Sequence, residues 1–166
     1  MRNQFLLLFL CLSFSTTFLN AQDMNNEKLG KIFYSVADSL TGTSGQWEIW
    51  IGDVPLLCIT DKNHNRMRII SPVKEVKEAN SEELLKCLEA NFHTALDVRY
   101  SISSDIIWVA FIHPLKELTE VQVLDAMAQV RAGVLTYGTI YTSTELGFPK
   151  KEEVEKENAK KKGKRS

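Results

Sequence analysis

Asp61, Asn63 and Asn65 set oxygen-bearing side chains at alternate positions, the spacing with which a calcium-binding loop begins. The pattern fails beyond them. Arg66 stands where such a loop needs glycine for its sharp turn, and Pro72 stands where a bidentate glutamate would close the cage. Asp61 to Asn65 is better explained as a hairpin connection whose Asp and Asn side chains bond to their own backbone. His64, His93 and His113 fall on a turn, a helix end and a strand end, without the spacing of a zinc site. His93 suits the carbonyl end of its helix and His113 closes an apolar strand before Pro114, both structural roles. Cys58 and Cys87 read as buried free thiols, with a bridge between them as the alternative in an oxidising compartment. There is no C-x-x-C, and Gly42-Thr43-Ser44-Gly45 is not the G-x-S-x-G of a hydrolase elbow. The sequence therefore implies no catalytic group, no metal and no cofactor, which points away from an enzyme.

The side chains with most to offer a partner are aromatic: Trp47, Trp50, Tyr100 and Trp108. Trp47, Ile49 and Ile51 alternate with Glu48 and Trp50, a period of two that puts the first set on the buried face of a sheet and Trp50 on the other. An exposed Trp on a sheet face can anchor a protein partner or a dimer contact. Coverage of that face by the chain's own loops or tail is the competing explanation.

Positioning these residues requires an ordered set of elements. Glu27 to Leu40 carries Leu29, Ile32, Phe33, Val36 and Leu40 at helical spacing, and Thr41 to Gly45 reads as the loop that ends the helix. Trp47 to Ile51 is then a strand, and Pro55 to Thr60 with Met67 to Ile70 form a hairpin. Asn80 and Glu83 make a capping box ahead of a second helix, expected to end near Leu96 and to turn Leu84, Leu85, Leu88 and Phe92 inward as one stripe. Val98 to Ile102 and Ile106 to Ile112 bracket the turn Ser103-Ser104-Asp105. Thr119 and Gln122 cap a third helix running to about Thr136, with Val121, Leu124, Ala128 and Leu135 inward. Tyr137 to Leu146 is a short extension or strand. The order helix, three antiparallel strands, helix, two strands, helix defines an α+β class, with helices packed on an antiparallel sheet.

The two ends of the chain differ from its body. Residues 1 to 21 combine Arg2, the apolar run Phe5 to Phe18 and a terminal Ala21, the pattern of a signal peptide cleaved before Gln22. The run is shorter than the roughly 20 residues that span hydrocarbon, and Leu10 ahead of Cys11 is too large for lipid modification of that cysteine. Residues 22 to 149 form one domain of acidic balance, eleven Lys and Arg against seventeen Asp and Glu. Residues 150 to 166 reverse it, eight against four, with almost no apolar side chain, so a disordered basic tail is expected. Lys160, Lys161, Lys162, Lys164 and Arg165 at its end suit peripheral contact with an anionic envelope surface, or serve only to keep a solvated extension soluble. Export argues against nucleic acid as a partner.

The element order, together with W-E-I-W-I, R-M-R-I-I-S-P, E-E-L-L-K-C-L-E-A-N-F, V-R-Y-S-I-S-S-D-I-I-W-V and L-T-E-V-Q-V-L, resembles the type III secretion chaperone-like fold, which includes the YbjN-type domains. The resemblance spans about Lys28 to Thr136, and its motifs are packing patterns that bear on fold and not on activity. It implies a dimeric, non-enzymatic protein that holds extended peptides or regulates a partner. Secretion chaperones work in the cytoplasm, so the signal segment departs from that pattern. The expectation is an exported, periplasmic module that recognises protein or peptide through a sheet face or groove, with a homodimer as a further expectation. The alternatives are a small periplasmic enzyme with an unrecognised site and an envelope-surface protein held by its basic tail.

Overall fold

Asn25 accepts the Lys28 backbone N–H on its side-chain oxygen at 3.0 Å and so starts α1 (Asn26–Val36), whose Leu29, Ile32 and Phe33 are buried. The computed structural model describes residues 23–144; the expected signal segment and the basic tail, with Lys160 to Arg165, lie outside the described residues. The helix stops four residues earlier than its apolar spacing predicts. Leu40 belongs instead to β1 (Ser39–Thr43), which pairs antiparallel with β2 (Gln46–Ile51) across the turn Ser44-Gly45. Glycine chemistry explains the difference. Gly42 and Gly45 have φ of 106° and 103°, and a Cβ on Gly42 would collide with the Gln46 carbonyl, so these glycines build a tight hairpin where a helix stop was expected.

β3 (Val54–Asp61) and β4 (Arg66–Glu75) are longer than the runs that predict them, and β4 carries a register shift between Pro72 and Lys74. A single 3₁₀ turn (Val76–Glu78) leads to α2 (Ser81–His93), followed by β5 (Arg99–Ser103), β6 (Ile106–His113) and α3 (Glu120–Thr136). The fold is α+β, as the sequence pattern predicts, with six strands where that pattern gives five. Their order is β1-β2-β3-β4-β6-β5, all antiparallel. The core fills the space between the helices and one sheet face: Phe33 of α1 meets Trp47 of β2 edge-on at 5.3 Å, and Leu56, Met67, Ile69 and Val109 are fully buried beside them.

Both later helices begin with the capping boxes read from sequence, Asn80 with Glu83 and Thr119 with Gln122, each of a kind worth about 1 kcal/mol. Their phases differ from expectation. α2 ends at His93 and turns Cys87 and Ala90 inward, leaving Leu85, Leu88 and Phe92 exposed and Leu84 half-buried. α3 buries Val123, Ala126, Met127, Val130 and Gly133, so Val121, Ala128 and Leu135 face outward. Small side chains decide this. A Cβ on Gly133 would lie 2.9 Å from Val109 Cγ1, which lets α3 sit closer to the sheet than a larger residue permits.

Asn91 of α2 closes the outer edge of β5. Its Oδ1 accepts the Tyr100 backbone N–H at 2.7 Å while its Nδ2 donates to the Tyr100 carbonyl at 3.1 Å, so one side chain bonds both edge groups of that residue. Tyr137 to Thr144 form no strand. They turn back onto the end of α2, where Ser143 Oγ accepts the Leu96 N–H at 2.9 Å. Among the described residues no helix is long and apolar enough to cross a membrane.

Candidate functional site

The polar groups singled out from sequence are engaged in local structure. Asp61 Oδ1 accepts the backbone N–H groups of Asn63 and His64 at 3.0 and 3.1 Å, and its Oδ2 lies 2.7 Å from His64 Nδ1. The His64 ring, then its backbone N–H, holds the Asp61 carboxyl below the usual carboxylate range. Asn65, at φ 50°, binds Glu117 through Nδ2 and accepts the Lys116 N–H on Oδ1, tying the hairpin tip to the loop before α3. His113 Nδ1 sits 2.8 Å from the Pro114 carbonyl. These oxygens and nitrogens hold turns together; among the described residues no group of three or more His, Cys, Asp or Glu could hold a metal ion.

Cys58 on β3 and Cys87 on α2 are buried free thiols. Burial pushes Cys58 far up, and it pushes Cys87 up to about 11 with help from the charge of Glu83, so neither offers the thiolate a nucleophile needs. A cleft of about 450 Å³ opens between α1 and the start of α3, but its cations are already held: Lys31 Nζ is 2.7 Å from Glu27, and Lys28 Nζ donates to the Asp23 carbonyl.

The aromatic residues divide between the two faces of the sheet. Trp47 is buried against Phe33, and Tyr100 is buried with its hydroxyl donating to the Gly133 carbonyl at 2.7 Å. Both are core residues, which removes them from any contact surface. Trp50 and Trp108 stand on the opposite face and are half-buried. The indole N–H of Trp50 donates to Glu48 at 2.9 Å and that of Trp108 to the Ser103 carbonyl at 3.1 Å. Each ring therefore has its polar atom satisfied within the chain and its apolar surface available.

Register shows what surrounds them. Residues paired across antiparallel strands share a face, so Trp50 neighbours Pro55, Leu57 neighbours Ile70, Ile70 neighbours Ala110, and Pro72 neighbours Trp108. Ile59 and Ile112 lie in the next row with Arg68 between them. The result is an apolar field across β2, β3, β4 and β6, bounded by Glu48 towards β1 and by Arg99 on β5. The core helices lie on the other face, and Ile59 and Ile112 remain 39% and 56% exposed. A shallow groove of about 330 Å³ runs along its β1 side past Thr41, Gln46, Glu48, Leu57 and Ile59.

The sequence pattern singles out Trp50 and Trp108, which stand on this face, and misses the row that joins them. The signal for it is PLLCIT, where Leu56 and Cys58 supply one face and Leu57 and Ile59 the other; a strand apolar at consecutive positions has two apolar faces.

No protein-family model matches the chain, and no curated protein matches it. Among solved structures, a chain of the HopA1-SchA chaperone-effector complex aligns with a TM-score of 0.49 at 14% sequence identity, covering 66% of this chain and 95% of that one.

Proposed function

We propose that the protein is an exported, non-enzymatic binding module that holds an extended, apolar segment of another protein across the open face of its sheet. The observation that carries this is the row Trp50, Pro55, Leu57, Ile70, Pro72 and Trp108, left uncovered by the core helices and flanked by polar residues. An extended peptide presents side chains to alternate sides, so the fitting partner carries apolar residues at every second position. Export rests on residues 1 to 21 and a periplasmic location on the same segment. Intact mass of protein from the envelope fraction should begin at Gln22; a product still carrying Phe5 to Phe18 would remove the export part of the proposal.

Binding is tested by calorimetry with two peptides of equal length and charge, one with Leu and Phe at alternate positions and one with Ser in their place. The apolar peptide should bind with a negative heat-capacity change and only weak dependence on salt. Failure of both peptides to bind, with tryptophan emission unchanged, would overturn the function.

A further inference from the structure

Arg68 sets a cation in the middle of the open apolar face. β4 has β3 on one side and β6 on the other, and Arg68 pairs with Ile59 across the first and with Ile112 across the second. Paired side chains on one sheet face stand about 4.5–5.5 Å apart at Cβ, so an isoleucine walls the arginine stem on each side. Arg68 is exposed and makes no hydrogen bond or ion pair among the described residues. The other charged groups of this face are engaged. Glu48 accepts the Trp50 indole N–H at 2.9 Å, and Asp61 is held by His64. Arg66 Nη1 donates to the Asn65 carbonyl at 3.0 Å, and Arg99 donates to the carbonyls of Ala95 and Leu96.

We propose that Arg68 selects a carboxylate in the segment that the open face holds, four residues from the apolar side chain seated between Trp50 and Trp108. The inference rests on the function proposed above and adds a charge requirement to it. Pro55 and Pro72 lie between the two rings, Pro55 paired with Trp50 and Pro72 with Trp108. From Pro72 to Arg68 is four residues of one strand, about 14 Å at roughly 3.4 Å per residue, and an extended segment running along β4 advances at the same rate. Its side chains alternate in direction, so the residue four places from the one over Pro72 also turns to the sheet and arrives over Arg68. Covering the face strips water from the guanidinium. An apolar residue at that place leaves a charge buried without a partner, whereas a carboxylate accepts two parallel hydrogen bonds from it. The position therefore rejects the side chains that the rest of the row favours.

The test measures binding of three end-blocked peptides to the full chain, each with Phe at the centre and Leu two residues to either side. That symmetry serves either chain direction. The first peptide carries Glu four residues from the centre on both sides, the second Gln at those places, and the third Glu three residues from the centre, turned away from the sheet. The first should bind roughly tenfold more tightly than the other two, and high salt should remove the advantage. Arg68→Gln should bind all three as the native protein binds the Gln peptide. Equal affinity for the Glu and Gln peptides, an equal gain from Glu at the outward places, or a gain that survives Arg68→Gln would overturn the assignment while leaving the open face as a peptide site. Binding of none of the three would overturn both. The comparison on native protein decides the case alone if the variant fails to fold.

Discussion

Phe33→Ala should lower the unfolding free energy by about 3–5 kcal/mol, a large part of the roughly 5–15 kcal/mol that holds a domain folded. Phe33 is fully buried, and its ring meets Trp47 edge-on at 5.3 Å, so truncation leaves a cavity at the junction of α1 and the sheet. Neither Leu29 nor Ile32 can fill it, since each is already packed on the same face of α1. Tyr34, one residue on, is 81% exposed, and Tyr34→Ala should stay within about 0.5 kcal/mol of the native chain. Urea denaturation of the three proteins checks both values. Equal costs at positions 33 and 34 would mean that α1 is rotated from the phase described.

Trp50→Ala combined with Trp108→Ala should abolish measurable affinity for an apolar peptide while leaving the far-ultraviolet spectrum unchanged. Each ring anchors one end of the open face, and buried aromatic anchors commonly carry about 2 kcal/mol or more of binding energy, roughly thirtyfold in affinity. The two residues are three strand spacings apart in the order β2, β3, β4, β6, or about 14 Å. Sites that far apart act additively. The single variants should therefore each weaken binding roughly thirtyfold and the pair roughly a thousandfold. Ile102→Ala, on the outer strand β5 and aligned with the buried face through its pairing with Ile107, should leave affinity unaltered. Single variants that retain native affinity would take the open face out of the function.

Element order was legible because period and punctuation agree along most of the chain. The alternation at Trp47 to Ile51 and both capping boxes locate their elements correctly. β1 was not legible, since Leu40 continues the helical spacing of Val36 while Gly42 imitates a helix stop. Helix phase failed for a different reason. In α2 the larger apolar residues look like the buried stripe, yet the close approach to β5 admits only Cys87 and Ala90. In α3 apolar residues run round nearly the whole circumference, so the inward arc is fixed by where Ala126 and Gly133 let the helix near the sheet. Size at an interface, unlike polarity, leaves no periodic trace in one sequence. The candidate site suffers likewise: Leu57 and Ile70 become neighbours only through the register of β3 with β4.

The Asn91 side chain that occupies both edge groups of Tyr100 gives the sheet a direction of growth. A further strand adding beside β5 would have to displace two hydrogen bonds at the second residue of a five-residue strand, whereas β1 has β2 on one side and, among the described residues, no strand on the other. Lateral extension is therefore terminated at one end of the molecule. Any strand captured edge-on is limited to one per copy, and copies cannot stack head to tail into a continuous ribbon, because such a polymer needs two open ends and the described residues supply one.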